Sequence, residues 1–399
     1  MTNNQINGFK GSAVAAGLKK EGEPDLALIF SEREAVAAGV FTTNQVQAAP
    51  VILSRENIKN GRVRAIVVNS GNANACTGKA GLENAQLTAE FVAENLGIKP
   101  KEVLVASTGV IGAQLDMKLI SEAIPNLAKN LSSDGITQVA EAMMTTDSFS
   151  KISRFEGNAN GKPFQILGIA KGAGMIMPNM ATMLCFVLTD LTIDAPSLDK
   201  SVSAAVESSF NRISVDGDTS TNDMVLVLAN GRTKEALSSE GLDKFNRGLT
   251  SVMKELATMI VRDGEGATKV VHVTVRNAAT AEDALTAART VANSSLVKTA
   301  FYGQDPNWGR IMAALGRSGI RMREEKVSIW IDGIKIVEGG LGNGEEAEKE
   351  AADRMTKKNL LSRLISTKVS MRTRSSPVTS PMNILPSMQT TEPKRQSMG

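Results

Sequence analysis

The sequence is poor in metal-binding and redox-active side chains, with one histidine and two cysteines among 399 residues. Transition-metal sites need clustered histidine or cysteine ligands, so we expect no such site. A catalytic base of the histidine type could only be His272, and the alternating pattern of KVVHVTVR places that residue in a strand. Cys76 and Cys185 form no disulfide framework, which indicates a reducing compartment, and we expect a cytoplasmic location.

Long apolar runs are also missing. No stretch approaches the roughly 20 apolar residues that a membrane-spanning helix requires, and the first 20 residues lack the charged and apolar regions of a secretory signal. Aromatic residues make up only 4% of the chain, although 42% is hydrophobic, so aliphatic side chains must form the core. We therefore expect a globular enzyme-sized chain that does not contact membranes.

A strong basic charge is absent from most of the chain. The formal net charge is +3, but eight Lys or Arg residues and one acidic residue fall within 356–399. The remaining 37 basic and 41 acidic residues give residues 1–355 a net charge of about −4. Because nucleic-acid binding depends on basic surfaces, the sequence gives it no support.

The segment KGAGMIMPNMATMLCFVLTD, residues 171–190, contains the strongest candidate for chemistry. Thr182 lies between a Pro178-Asn179 turn signal and an apolar run, Met183 to Leu188, that is typical of a buried strand. The residues alone allow two interpretations. Thr182 could simply begin a strand, or it could be a nucleophile whose own α-amino group, freed by chain cleavage, acts as the base near pKa 7.7–8.0.

This segment resembles the self-cleavage site of the ornithine acetyltransferases, the bifunctional glutamate N-acetyltransferases of arginine biosynthesis. Five further segments resemble the same family in the same order, and together they cover residues 1 to about 355. They are VVNSGNANACTG (67–78), STGVIG (107–112), TTDSF (145–149), RDGEGATK (262–269) and DPNWGRIMAALGRSGI (305–320).

The resemblance implies a fold and a reaction. The fold would be α/β, an αββα sandwich of stacked sheets flanked by helices. The chain would cut itself between Ala181 and Thr182 into an α chain, 1–181, and a β chain with its body at 182–357, assembled as a heterotetramer of two of each. Thr182 would then carry an acetyl group from N-acetylornithine to glutamate. No cofactor is implied, although acetyl-CoA is a possible second donor.

The resemblance also assigns roles to individual residues. Thr108 and Gly109 of STGVIG would form the oxyanion hole, whereas the residues alone also fit an ordinary strand–turn junction. A threonine of the TTD segment, Thr145 or Thr146, would contact substrate, and the sequence does not choose between them. Lys171 could bind a substrate carboxylate or be a surface lysine.

Glu265, in the glycine-flanked segment RDGEG, is the remaining substrate-binding candidate. The family places a substrate-contacting glutamate there, and a carboxylate could hold an amino group. An exposed loop acid is the alternative.

Periodicity and end signals predict the surrounding elements, with Gly97 ending one helix and Asp194, or a residue near it, starting another. Residues 211–223 form a polar segment without the spacing of a calcium-binding EF-hand, so we interpret them as a network of turns. Helices are predicted at 82–96, 116–127, 135–145, 195–210, 244–262 and 281–298, and strands at 26–30, 35–41, 51–53, 63–68, 103–106, 148–155, 163–170, 183–188 and 270–275.

The C-terminal segment departs from the family from about Lys358 onward. If the codons from Asn359 onward are read one nucleotide out of phase, they can encode a segment that ends in TCDLTYEYITINADYRT. This segment is similar to the C-terminal strand and substrate lid of the family. We therefore hypothesise a frameshift near codon 358 in the gene or its sequencing. In the present frame, residues 358–399 are basic and rich in Ser, Thr and Pro, which predicts a disordered tail.

Two alternatives to acetyl transfer stay open. A self-processing amidohydrolase or aminopeptidase would use the same threonine with water as the acceptor. Alternatively, the chain is an inactive product that lacks its C-terminal lid.

Overall fold

The computed structural model describes residues 4–19, 22–159, 161–177, 183–233, 237–356, 359–360 and 378–384. The chain divides into two compact units. Unit 1 comprises Met1–Ile213 and Gly217–Asp263, and unit 2 comprises Ser214–Asp216 and Gly264–Gly399. Within these described ranges, no helix has the length and hydrophobicity needed to cross a membrane.

Unit 1 is built on a mixed sheet. Its strands are β1 (Phe9–Val14), β2 (Leu26–Phe41), β3 (Arg62–Asn72), β4 (Val103–Val110), β5 (Lys151–Ala159), β6 (Lys162–Lys171), β7 (Leu184–Thr189) and β8 (Met224–Ala229). Its helices are α1 (Ala49–Asn57), α2 (Gly78–Leu96), α3 (Met117–Lys129), α4 (Ile136–Ala142), α5 (Ala195–Glu207) and α6 (Ser239–Arg262). The strand order is β4-β3-β2-β8-β7-β6-β5, with β1 beside β2; the β3–β4 and β7–β8 pairs are parallel.

The sheet of unit 1 is buried on both faces. Alternate residues of β3 and β4 enter two different cores, Val67 and Val105 in one and Ile66 and Leu104 in the other. The second core also contains Phe186 and other residues of β6, β7 and β8. The half of the sheet formed by these strands therefore packs against the half that contains β3 and β4. Helices α2 and α3 cover the outer face of one half. This arrangement confirms the predicted α/β fold of stacked sheets flanked by helices.

Helix α6 covers the other half of the sheet. A Cβ atom on Gly168 of β6 would lie 2.7 Å from Val252 and 2.8 Å from Leu256 of this helix. These contacts are closer than ordinary Cβ packing, so the glycine lets the helix lie directly on the strand. Helix α6 thereby fixes the position of β6, which ends at Lys171.

Capping residues mark several helix ends where the sequence predicted them. Asp116 and Asp194 accept backbone hydrogen bonds at the starts of α3 and α5, and Gly97 ends α2 in the left-handed conformation. The strand predicted at 51–53 is wrong, because these residues belong to α1. Pro50 occupies the first turn of that helix. A backbone N–H at this position would have no intrahelical acceptor, so proline costs the helix no hydrogen bond there.

Unit 2 has its own core. Its strands are β9 (Lys269–Val275), β10 (Ile329–Ile331), β11 (Ile334–Glu338), β12 (Leu341–Gly342), β13 (Asn359–Leu360) and β14 (Val378–Ile384). Its helices are α7 (Ala281–Ala292), α8 (Ser295–Tyr302), α9 (Trp308–Gly316) and α10 (Glu345–Met355). His272 lies in β9, as predicted. The helix predicted at 281–298 is divided into α7 and α8, because Ser294 caps a new helix by accepting a hydrogen bond from the Val297 amide.

Two stretches of the predicted disordered tail are described as strands. The β13 backbone pairs in parallel with β9, and the β14 backbone pairs antiparallel with the same strand. The other residues of 358–399 lie outside the described ranges.

The predicted chain boundary between residues 181 and 182 falls within unit 1 rather than between the two units. Strand β6 precedes this boundary and β7 follows it, and the two strands pair from Ile166–Thr189 to Lys171–Leu184. A cut at this boundary would therefore leave both products sharing one sheet and one core.

Candidate active site

Thr108 and Gly109 lie at the end of β4, where the β3–β4 pairing becomes irregular. Gly109 has a φ of 132°, a conformation that favours glycine. A Cβ atom there would lie 2.3 Å from the carbonyl carbon of Gly71 and 2.5 Å from the Asn72 nitrogen. Only glycine fits this close approach, so the backbone conformation beside Thr108 depends on it.

Lys171 brings the end of β6 to the end of β4. Its ammonium donates a hydrogen bond to the Thr145 hydroxyl at 2.8 Å and to the Thr108 hydroxyl at 3.3 Å. Its side chain is buried, so the alternative of a surface lysine is wrong. Three of the predicted site residues, Thr108, Thr145 and Lys171, therefore lie in contact. Thr146 is exposed beside Thr145.

A buried charge network lies behind Lys171. The Lys171 ammonium is 3.7 Å from an Asp147 carboxylate oxygen. Asp147 also pairs with Lys151 at 2.7 Å, and Lys151 pairs with Asp263 at 2.6 Å. Two lysines and two aspartates thus balance their charges away from water, which is the condition under which buried ions are tolerated. Sequence reasoning missed Asp147, Lys151 and Asp263, although Asp147 and Asp263 lie in the TTDSF and RDGEG segments.

The network shifts the pKa values of Asp147 and Lys171. Burial raises the pKa of Asp147, but the nearby Lys171 and Lys151 charges outweigh it and hold the pKa below its ordinary value. Burial lowers the pKa of Lys171, and the Asp147 charge opposes that change. Asp147 also accepts the Gly172 backbone N–H at 2.6 Å, so the same carboxylate fixes the chain just after Lys171.

Lys19 holds the Thr145 segment from the other side. Its ammonium donates to the carbonyl oxygens of Ala142 at 3.1 Å and Met144 at 2.5 Å. The buried Asp25 accepts four backbone N–H groups from residues 16–19, at 2.6–3.0 Å, and so fixes the loop that carries Lys19. The position of Thr145 therefore depends on contacts with several distant parts of unit 1.

Ala181 and Thr182 lie outside the described residues, and the chain resumes at Met183. Leu184 opens β7 opposite Lys171, the last residue of β6. The described chain thus resumes in the strand beside the Lys171 cluster, one residue after Thr182.

Asp223 fixes the start of this returning strand. Its Oδ1 atom accepts the Met183 backbone N–H at 2.9 Å. The Asp223 side chain is fully buried, and its Oδ2 atom has no hydrogen-bond partner among the described residues. Burial raises the pKa of Asp223 well above its ordinary value, against the hydrogen bond from Met183 and the charge of Lys171. Sequence reasoning had assigned this residue only to a network of turns.

Hydrogen bonds to distant parts of unit 1 fix the segment just before Asp223. The Asn222 side-chain amide donates to the carbonyl oxygens of Ala73 and Ser107, at 2.7 and 2.8 Å. The Thr42 hydroxyl donates to the Ser220 carbonyl oxygen at 2.7 Å. These long-range bonds tie the segment before Asp223 to the end of β4, and the turn network predicted for residues 211–223 stays a prediction.

The raised pKa of Asp223 predicts a pH-dependent stability. A carboxyl that is protonated in the folded state stabilises below its ordinary pKa of about 4, and this contribution is lost as pH rises through the raised pKa. In Thr182→Ala protein, adding Asp223→Asn should raise the melting temperature by an amount that grows as pH rises above about 4. A difference that stays constant across this range would contradict the prediction.

Glu265, the remaining predicted residue, belongs to unit 2. It lies exposed in the turn between α6 and β9, next to Gly264 and Gly266. Its role stays a prediction.

Comparison with known proteins places the chain in context. The ArgJ family model matches residues 10–379. The arginine biosynthesis bifunctional protein ArgJ of Syntrophotalea carbinolica is 53% identical over 354 residues, which cover 88% of this chain and 89% of that protein. The glutamate N-acetyltransferase of Methanocaldococcus jannaschii is 50% identical over 340 residues, 83% of this chain and 84% of that protein.

Two solved structures are also similar. The arginine biosynthesis bifunctional protein argJ of Bacillus halodurans is 40% identical and covers 45% of this chain and 95% of its own, with a TM-score of 0.43. Ornithine acetyltransferase complexed with ornithine, from Mycobacterium tuberculosis, is 36% identical and covers 44% of this chain and 94% of its own, with a TM-score of 0.39.

Proposed function

The chain belongs to the ArgJ family, and on that premise we propose that it transfers an acetyl group from N-acetylornithine to glutamate through an ester on Thr182. The relatives above are named as arginine-biosynthesis and glutamate N-acetyltransferase proteins. The observation that carries the proposal is the contact of Lys171 with both Thr108 and Thr145, beside the strand that follows Thr182.

In the proposed reaction, the chain first cuts itself between Ala181 and Thr182. The freed amine of Thr182 takes the proton from its hydroxyl, which attacks the acetyl carbonyl of N-acetylornithine. Ornithine leaves, and the amino group of glutamate then takes the acetyl group from the threonine ester. The ester itself carries the group between substrates, so no cofactor is needed, and acetyl-CoA is a second candidate donor.

Thr108 and Gly109 are the proposed donors to the oxyanion. The Thr108 oxygen accepts a hydrogen bond from Lys171, which leaves its own O–H free to donate elsewhere. The Gly109 N–H is the second proposed donor. Two such donors stabilise the negative charge that forms on the carbonyl oxygen in the tetrahedral intermediate.

Lys171 is the proposed binding group for a substrate carboxylate. An ammonium has three N–H donors, and the hydroxyls of Thr108 and Thr145 accept two of them. The ammonium is also 3.7 Å from an Asp147 carboxylate oxygen, and a substrate carboxylate, a group that both amino-acid substrates carry, is proposed to share it. Thr145, held by Lys171, and Glu265 are proposed to contact the rest of the substrate.

Lys171→Met is expected to lower kcat/KM by about 100-fold or more, since both a charge-assisted hydrogen bond and the orientation of two threonines are lost. Lys162→Met in the same strand is the matched control, because Lys162 is exposed at the opposite end of β6. Steady-state kinetics with both substrates would test this. Equal effects of the two substitutions would contradict the role of Lys171.

The two products of self-cleavage are proposed to stay together. They would share the β6–β7 pairing and the core between the halves of the sheet. A heterotetramer of two α and two β chains is proposed from the family resemblance, as is a cytoplasmic location.

An acceptor assay separates the proposed transferase from the alternative amidohydrolase. Acetyl transfer predicts that ornithine release from N-acetylornithine depends on glutamate and that acetylglutamate forms in equal amount. Release at the same rate without glutamate would indicate that water is the acceptor.

The altered tail is proposed to affect turnover rather than chemistry at Thr182. Sequencing the gene around codon 358 would test the frameshift hypothesis, and an uninterrupted single frame would contradict a sequencing error. If the tail residues close the substrate site, a chain with the restored frame should transfer acetyl groups faster than the chain with the altered tail. Equal rates would exclude the inactive-product alternative.

A further inference from the structure

Among the described residues, Asp223 is a buried carboxylate bonded to Met183, the residue after Thr182, and the proposed reaction gives it no task. Its Oδ1 atom holds the Met183 N–H, while its buried Oδ2 atom has no partner among the described residues. A buried, unpartnered carboxyl oxygen costs stability, so its presence calls for a function.

Covalent geometry places Asp223 close to the bond that is cut. The Thr182 nitrogen is separated from the Met183 nitrogen by three backbone bonds, so the two nitrogens lie within about 4 Å of each other. The Met183 nitrogen is itself 2.9 Å from Asp223 Oδ1. The carboxyl group is therefore hydrogen-bonded to Met183. This residue directly follows Thr182, whose nitrogen is the leaving group of the cleavage.

The other buried carboxylates of the cluster are already used. Asp147 pairs with Lys151 and Lys171, and Asp263 pairs with Lys151. For Asp147, the charges of Lys171 and Lys151 hold the pKa below its ordinary value and favour the charged form, which has no proton to give. The charge that acts on Asp223 is that of Lys171, and burial outweighs it.

We propose that Asp223 is the proton-transfer residue of self-cleavage, donating from Oδ2 to the Thr182 nitrogen as the Ala181–Thr182 bond breaks. This inference rests on the proposed self-cleavage. It adds the group that protonates the Thr182 nitrogen, so that this nitrogen can leave as an amine. The raised pKa of the carboxyl is consistent with its carrying a proton near neutral pH.

The step balances in atoms and charge. The Thr182 hydroxyl oxygen bonds to the Ala181 carbonyl carbon, and the bond from that carbon to the Thr182 nitrogen breaks. Asp223 gives its proton to the nitrogen and recovers one from the attacking hydroxyl. Water then hydrolyses the ester and leaves an Ala181 carboxylate, a free Thr182 hydroxyl and the amine needed for transfer.

Asp223→Asn in the full chain tests the proposal. The asparagine oxygen can still accept the Met183 N–H, but the amide that replaces Oδ2 has no acidic proton. We expect uncut chain to accumulate, with cleavage slowed by about 100-fold or more, and we expect the melting temperature to be at least that of uncut Thr182→Ala protein. Asp223→Glu should recover part of the cleavage rate.

Asp190→Asn is the matched control. Asp190 is also buried in unit 1 and accepts a backbone N–H, from Gln165, at the opposite end of β7. This variant should be cleaved like the parent chain. Cleavage of Asp223→Asn at the rate of Asp190→Asn would overturn the proposal. So would an uncut Asp223→Asn protein that melts well below Thr182→Ala protein, because its role would then be structural.

Denaturing gels of the parent chain and of Asp223→Asn separate this inference from the proposed function. If the parent chain itself is not cut before Thr182, the self-cleavage proposal fails. If the parent is cut and Asp223→Asn is cut equally fast, only the role of Asp223 fails.

Discussion

Thr182→Ala is expected to leave the chain as one band of 42.2 kDa and to reduce acetyl transfer to background. The parent chain should instead give bands of about 19 kDa for residues 1–181 and about 23 kDa for residues 182–399, in proportion to length. Both effects have one physical reason. The same hydroxyl attacks the peptide carbonyl during maturation and the acetyl carbonyl during transfer.

Thr182→Ser is the matched variant, because it keeps a hydroxyl on the same carbon and, after cleavage, the same α-amine. It should be cut and should retain measurable transfer. Denaturing gels and acetylglutamate formation give the two readouts. If Thr182→Ala protein is cut normally, the nucleophile is another residue and the proposed mechanism is wrong.

Thr108→Val should lower kcat by about 100- to 1,000-fold, which corresponds to a barrier increase of about 2.7–4 kcal/mol. Valine keeps the shape of threonine but has no hydroxyl to donate to an oxyanion. KM should change much less, because the oxyanion exists only in the transition state and the intermediate. The measurement is steady-state kinetics on protein that has been cut to completion.

Thr189→Val controls for the loss of a buried hydroxyl in the same sheet. Thr189 is fully buried in β7, where its hydroxyl donates to the Gln165 carbonyl oxygen. This change should affect stability and leave kcat near the parent value. If Thr108→Val changes KM with kcat unchanged, Thr108 binds substrate and does not stabilise the oxyanion.

Local signals in the sequence predicted most of the elements. Asp116 and Asp194 were expected at or near helix starts and Gly97 at a helix end, and all three have these positions. Such signals depend on a few neighbouring residues and therefore survive in the folded chain. One error, the missed break at Ser294, came from an unrecognised cap, and the other arose where apolar content alone was used. Residues 51–53 were too short a run to tell strand from helix, and Pro50 was the informative residue.

The candidate site was predictable only in part. Thr108, Gly109 and Lys171 lie in segments that resemble the family, and the structure brings Thr108 and Lys171 together over 63 positions of sequence. The ion pair of Lys151 with Asp263 spans 112 positions, and no local pattern could reveal it. Asp223 was hidden for another reason, because its polar neighbours suggested a network of turns, whereas the residue is a fully buried carboxyl.

Mass spectrometry of the protein mixed with N-acetylornithine, without glutamate, tests the central claim most directly. The account predicts that the fragment beginning at Thr182 gains one acetyl group, about 42 Da, on that residue. Glutamate should then remove the added mass and yield acetylglutamate. A cut, folded protein that releases ornithine without ever carrying an acetyl group on Thr182 would contradict the account.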